Sequence, residues 1–173
     1  SFPTRRSSDL HIALASEDQY PKVREMIEVG RSEGLRIAFG ADHLESPLPT
    51  QGHFVAPTVF VDVPQTSRLS REEIFGPVVC VSRVASYEEA VQQANAVEYG
   101  LAASIVTRDM ARALSFAEDI EAGIVKVNSA TGGVALFAPF GGFKHSSNQT
   151  NKEQAGHGVM DFYTRTKAVY LAT

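Results

Sequence analysis

The sequence is poor in the features that mark specialised classes of protein. It holds one cysteine, Cys80, so no internal disulfide is available and nothing argues for an oxidising compartment. No apolar run approaches the ~20 residues that a membrane-spanning helix needs. Basic residues are not in excess: 16 Lys and Arg against 20 Asp and Glu give a net charge of −4 and a pI near 5.7. That balance leaves no electrostatic footprint for nucleic acid. His11, His43, His53, His145 and His157 show no metal-ligand spacing, and the lone thiol supplies no cluster. Neither Thr131-Gly132-Gly133 nor Gly141-Gly142 has the G-x-G-x-x-G spacing of a dinucleotide fingerprint. There is no internal repeat and no low-complexity segment. These absences leave a protein with no nucleic acid, membrane or metal as an expected partner, and the cytoplasm as its expected location.

What is present is ordinary for a globular domain. The chain has 173 residues, 43% of them hydrophobic and 21% charged, enough for one domain with a sizeable core. The first ten residues, Ser1 to Leu10, stand apart, with no initiator Met and neither helix nor strand period. The apolar part that follows, Leu10 to Ala15, is shorter than the ~7–15 residues of a signal-peptide core and is broken by His11. The decapeptide looks like a translated sequencing-adapter oligonucleotide. It is expected to be non-native, with the protein proper running over residues 11–173.

From there helices and strands alternate. Ser16-Glu17-Asp18-Gln19 has capping-box spacing and opens an expected helix from Glu17 to Ser32, with Val23, Met26 and Ile27 on one face and Gly34 as its stop. Arg36 to Gly40 reads as a strand and Ala41 to Gly52 as a surface loop. Phe54 to Val63 is β-rich, but Pro57 inside it demands an edge position or a broken strand. A strand is expected at Val78 to Val84. Ser86 to Glu89 is a second capping box, before a helix carrying Ala90, Val91 and Ala94. Leu101 to Thr107 reads as a strand after Gly100. Asp109 can cap a helix with Ala113, Phe116, Ala117 and Ile120 as its apolar stripe, ended by Gly123 and followed by a strand at Ile124 to Val127. Ser129 to Gly142 is a glycine-rich loop that can approach a ligand closely. Thr150 to Glu153 is a third capping box, for a helix reaching Tyr163, and Ala168 to Leu171 closes the chain as a strand. The alternation predicts an α/β fold built on a mainly parallel sheet flanked by helices.

One stretch organises the rest: Glu72-Glu73-Ile74-Phe75-Gly76-Pro77-Val78-Val79. Pro77 has no N–H and pushes Gly76 out of the helical region, so a turn stands before the strand. Two carboxylates and an aromatic sit on that turn, where ligand sites gather in α/β proteins. By spacing alone it is equally a solvated acidic loop with Phe75 plugging the core.

The same stretch resembles the cofactor-contact motif of the aldehyde dehydrogenases. The resemblance continues through Asn95 to Asp109 ("NAVEYGLAASIVTRD"), Gly123 to Asn128 ("GIVKVN") and Pro139 to Ser147 ("PFGGFKHSS"), in the family's order and spacing. It implies the C-terminal third or so of the catalytic domain, with a terminal strand that pairs with a neighbouring subunit in a dimer or tetramer. Glu73 would then accept hydrogen bonds from the nicotinamide-side ribose of NAD or NADP, with Phe75 packed beside it. Glu72 is expected to be a surface carboxylate. Val134, Phe137 and Phe140 would line the aldehyde site, and Asn128 would anchor their loop to local backbone. The gap from Asn128 to Pro139 and the "SSN…KEQ" that follows are closest to the 2-oxoglutarate semialdehyde dehydrogenases. Lys144 and His145 are expected to form a solvated turn.

Family members use a cysteine nucleophile on the aldehyde before hydride leaves to NAD(P). Cys80 is not expected to be that group: it lies in an apolar strand, where burial raises a thiol's pKa and leaves it inert. The family's Gly-Gln-x-Cys-type motif and catalytic glutamate lie upstream of all four blocks and do not occur here. The resemblance therefore implies NAD(P)-dependent oxidation of an aldehyde to a carboxylate by a longer protein, and no such activity in this chain alone. Two rivals stand beside it: a non-catalytic remnant that oligomerises through its last strand, and part of an acylating, CoA- or phosphate-linked enzyme.

Overall fold

The structure, a computed structural model, describes residues 12–40, 52–133, 135, 137–147, 155 and 157–172. The expected leader, the loop after Gly40 and the third capping box lie outside the described residues. The chain divides into two compact units, residues 1–86 and 87–173.

In the first unit the apolar spacing Val23, Met26, Ile27, Gly30 gives helix α1 (Gln19–Ser32) one buried face. Gly34 ends it as expected. At φ +74 it takes the left-handed position, donating to the Arg31 carbonyl at 2.9 Å while Leu35 donates to Gly30 at 2.9 Å. The start differs from expectation. The helix begins at Gln19, with Asp18 before it in helical conformation and no side-chain cap. The reason is that the Gln19 amide, which a capping box would turn back on the helix, instead reaches the carbonyls of Ile74 and Phe75.

Pro57 breaks the expected long strand into β3 (Phe54–Val55) and β4 (Thr58–Val61); β3 pairs antiparallel with β1 (Ile12–Ala13). The second sheet has β4 at its centre, antiparallel to β2 (Arg36–Phe39) and parallel to β5 (Val78–Val81), so β5 stops short of Val84. Register puts Phe60 beside Cys80 and Ile37 on the face that α1 covers. Val79 and Val81 lie on the opposite face and are exposed.

In the second unit, α2 (Tyr87–Asn95) follows Ser86, and β6 (Tyr99–Gly100) pairs antiparallel with β9 (Phe143–Lys144). Strands β7 (Ala102–Ile105) and β8 (Ile124–Val127) form a parallel ladder, Ala102 to Ile124 through Ile105 to Val127. Helix α3 (Met110–Asp119) covers one face of it through Phe116, with Ile120 just beyond the helix. Ala113, Phe116 and Ile120 are buried as expected, whereas Ala117 and, on α2, Ala94 are exposed. Gly123 does not end α3. It lies beyond Ile120, at the head of β8, where its N–H donates to the Gly100 carbonyl at 2.9 Å. The two four-residue ladders, β4–β5 and β7–β8, are the parallel ones.

Asp109 caps α3 as its position predicts, accepting from the N–H groups of Ala111 at 2.9 Å and Arg112 at 3.2 Å. Asp109→Ala is expected to cost about 1 kcal/mol, and Asp109→Ser to restore most of it. A denaturant midpoint unmoved by the alanine change would show that the cap contributes nothing.

Helix α4 (His157–Tyr163) reaches the expected end. Beyond it, Val169, Tyr170 and Leu171 are exposed, and residues 164–172 join no ladder among the described residues. No helix among them is long and apolar enough to cross a membrane.

Candidate functional site

The turn at residues 72–77 is built by sorting its side chains. Ser67 accepts from Leu69 N–H at 3.1 Å and opens a short 3-10 turn over Arg68–Ser70. That turn aims the Arg68 guanidinium at Glu72, and the two form a bidentate pair at 2.7 and 2.9 Å. The hydrogen bond from Arg68 holds the Glu72 carboxyl below its usual pKa. Glu72 is thus the surface carboxylate it was expected to be. Ile74, 8% exposed, is the residue that plugs the core. Phe75 is 68% exposed at φ +53, so it is not a core plug. Glu73 is exposed too, and no ion pair or hydrogen bond engages its carboxylate among the described residues. One glutamate is thus spent on Arg68, and the other is open.

Gln19 holds the turn in place. Its amide nitrogen donates to the carbonyls of Ile74 at 2.8 Å and Phe75 at 3.0 Å, across 55 residues of sequence. Gly76 packs so closely on α1 that a Cβ there would stand 2.5 Å from a Val23 methyl. Sequence reading missed Gln19, because its place four residues into a capping-box pattern offered a local explanation. The peptide beyond closes tightly, with Val78 N–H on the Gly76 carbonyl at 2.8 Å and Thr58 N–H on that of Pro77 at 2.9 Å.

Cys80 is half-buried against the core cluster of the first unit, and burial pushes its thiol pKa up. Such a thiol is a poor nucleophile.

The loop of the second unit leaves β8 at Asn128, which sits at φ +54. The Asn128 amide is paired with the Thr107 backbone in both directions, accepting its N–H at 2.8 Å and donating to its carbonyl at 2.9 Å. Asn128 is the loop anchor it was expected to be. Along the loop Phe137 is 86% exposed and Phe140 is half-buried; Val134 lies outside the described residues. Lys144 corrects an expectation. It is no solvated residue: its ammonium bonds the carbonyls of Asn95 and Val97 and the Glu121 carboxylate at 2.6, 3.1 and 2.6 Å. Those carbonyls lie at the C-terminal end of α2, where a cation is favoured by the unpaired carbonyls and the helix dipole. His145 is exposed, with Glu98 at 3.6 Å.

A family model described as the aldehyde dehydrogenase family matches residues 4–169. The chain belongs to the aldehyde dehydrogenase family. It is 46% identical over 155 residues to the alpha-ketoglutarate semialdehyde dehydrogenase of Haloferax volcanii, covering 90% of this chain and 32% of that protein. The Bacillus subtilis alpha-ketoglutaric semialdehyde dehydrogenase is 40% identical, covering 91% and 32%. A solved aldehyde dehydrogenase of Bacillus cereus, in complex with NAD+, superposes at a TM-score of 0.79 with 38% identity, covering 92% of this chain and 31% of that one. This aldehyde dehydrogenase chain therefore spans about a third of the length of the curated relatives it matches. Among the described residues no three His, Cys, Asp or Glu are grouped to hold a metal ion.

Proposed function

We propose that this chain supplies one cofactor contact and one substrate wall to an aldehyde dehydrogenase that oxidises a dicarboxylic semialdehyde, such as 2-oxoglutarate semialdehyde, to the carboxylate with NAD or NADP. The observation that carries the reading is the divided pair of glutamates. Glu72 is neutralised by Arg68, while Glu73 and the Phe75 ring stand open on a turn held from behind by Gln19. An unpaired carboxylate can accept from two vicinal ribose hydroxyls, and an open aromatic face beside it can pack on the sugar. Those two residues fit the nicotinamide-side ribose, and fixing that sugar fixes the ring that takes hydride from the aldehyde carbon. Phe137 and Phe140, with Val134, supply an apolar wall for the substrate. The substrate class rests on the relatives' names, which include a 2,5-dioxopentanoate dehydrogenase of Saccharolobus solfataricus at 41% identity.

Cys80 has no part in the chemistry. The nucleophile belongs to a part of the enzyme this chain does not contain, so the 173-residue chain is inactive alone. We place the full-length protein in the cytoplasm, as a dimer or tetramer in which the exposed apolar residues Val169 to Leu171 pair with a second copy.

In the full-length enzyme, Glu73→Ala is expected to weaken NAD(P) binding about tenfold, the loss of one or two hydrogen bonds to a charged acceptor. Cys80→Ser should leave aldehyde oxidation intact. Calorimetric titration with NAD+ and NADP+ reads the first and steady-state kinetics the second. Unchanged cofactor affinity, or activity abolished by the cysteine change, overturns these assignments.

A further inference from the structure

The face of the β7–β8 ladder opposite α3 carries a polar pair. Ser104 and Lys126 are direct neighbours in the ladder register, next to Ala103 and Val125, which face the α3 cluster. Both side chains turn to the same short piece of chain. The Ser104 hydroxyl donates to the Ser129 carbonyl at 2.6 Å. The Lys126 ammonium donates to the carbonyls of Gly132 at 2.5 Å and Gly133 at 2.8 Å. Gly133 is at φ +84, the left-handed conformation that suits a glycine, as its peptide turns toward the ammonium. Three successive anchor points result. Asn128 fixes the start of the loop on Thr107, Ser104 holds Ser129, and Lys126 holds residues 132–133.

We propose that Lys126, with Ser104 beside it, is a positioning residue that holds loop 129–133 in one conformation and through it sets the affinity for the aldehyde. The loop would otherwise be free to move, because small residues and glycines impose little conformational preference of their own. A lysine suits the task because one ammonium has three donors and can hold two peptide carbonyls at once. It touches no substrate in this role. Its effect passes through the backbone to the residues that follow, so it rests on the reading of Phe137 and Phe140 as a substrate wall.

The test uses the full-length enzyme and the variants Lys126→Met, Lys126→Arg and Ser104→Ala. Lys126→Met should raise KM for the semialdehyde about tenfold, about 1.4 kcal/mol of binding, while kcat and NAD+ affinity change less than about threefold. Hydrogen exchange at the amides of residues 130–135 should rise in the same variant. Lys126→Arg, which keeps a multi-donor cation, should recover most of both effects, and Ser104→Ala should show a smaller version of each. Unchanged exchange overturns the strap itself. Faster exchange with unchanged aldehyde KM overturns its link to substrate. Equal losses in KM, NAD+ affinity and melting temperature would reveal general destabilisation and overturn the positioning role. A wild-type enzyme with no aldehyde oxidation would instead defeat the dehydrogenase reading, and the exchange measurement would still decide the strap.

Discussion

Phe60→Ala is expected to cost about 3–5 kcal/mol, enough to unfold a marginal domain. Phe60 is fully buried in the central strand of its sheet, facing α1 with Val23, Met26 and Ile27 around it. The ring lies so close to the helix that a Cβ on Gly30 would stand 2.7 Å from its Cε1 and Cζ, and 2.9 Å from Leu69 Cδ2. This explains a glycine in the last turn of α1, where alanine would be better for the helix by about 1 kcal/mol. A double-mutant cycle follows. Gly30→Ala should destabilise the native protein through overpacking, and should cost clearly less in the Phe60→Ala background, where of the close neighbours only the Leu69 methyl remains. Denaturant unfolding of the four proteins measures the coupling. Additive effects, or a Phe60→Ala loss below 1 kcal/mol, would mean that the ring does not organise this core.

Features governed by neighbours in sequence were legible before the structure. Gly34 closes α1 because a C-terminal left-handed residue is a local requirement, and Asp109 caps α3 because its carboxylate needs only the next three N–H groups. Pro57 divides β3 from β4 for the same kind of reason, having no N–H to give a ladder. Glu72 and Glu73 were told apart by the family resemblance alone, and the Arg68 pair that occupies Glu72 had no part in that reading.

What sequence could not show were the long-range claims on side chains with a plausible local use. Gln19 fitted a capping box, but two carbonyls 55 and 56 residues away hold its amide, and the box does not form. Lys144 followed a glycine pair like any turn lysine, yet the end of α2 and Glu121 draw it in. Ala117 continued the α3 stripe by period, although the sheet beneath covers only a narrow face, reached by Ala113, Phe116 and Ile120. Lys126 gave no signal, since a lysine in a short strand normally points to water. The partners of Gln19 and Lys144 are remote in sequence, whereas those of Lys126 are glycine carbonyls six and seven residues on, which no side-chain pattern announces.

Gly123→Ala is expected to be the most damaging single-methyl change in the second unit, costing roughly 3 kcal/mol through a clash with main chain that no rotamer relieves. A Cβ at Gly123 would stand 1.9 Å from the Gly141 carbonyl oxygen and 2.8 Å from both Gly141 C and Gly142 Cα. All three atoms are backbone. The neighbourhood has no slack: a Cβ on Gly100 would meet the Glu121 carbonyl oxygen at 2.3 Å, and one on Gly142 would meet Ser146 Cβ at 2.5 Å. Glycine is required at 123 for close approach, as the head of β8 passes against the turn that follows Phe140. Moving that turn should move Phe140 with it, so the variant enzyme should lose aldehyde affinity as well as stability. Gly132→Ala is the control, because nothing lies within 4 Å of its would-be Cβ, and it should fall within about 0.5 kcal/mol of wild type. Thermal unfolding of both variants, with KM for the semialdehyde, separates the outcomes. Equal stability of the two would show that the 139–142 turn yields freely. Lost stability with unchanged KM would show that Phe140 does not form part of the substrate wall.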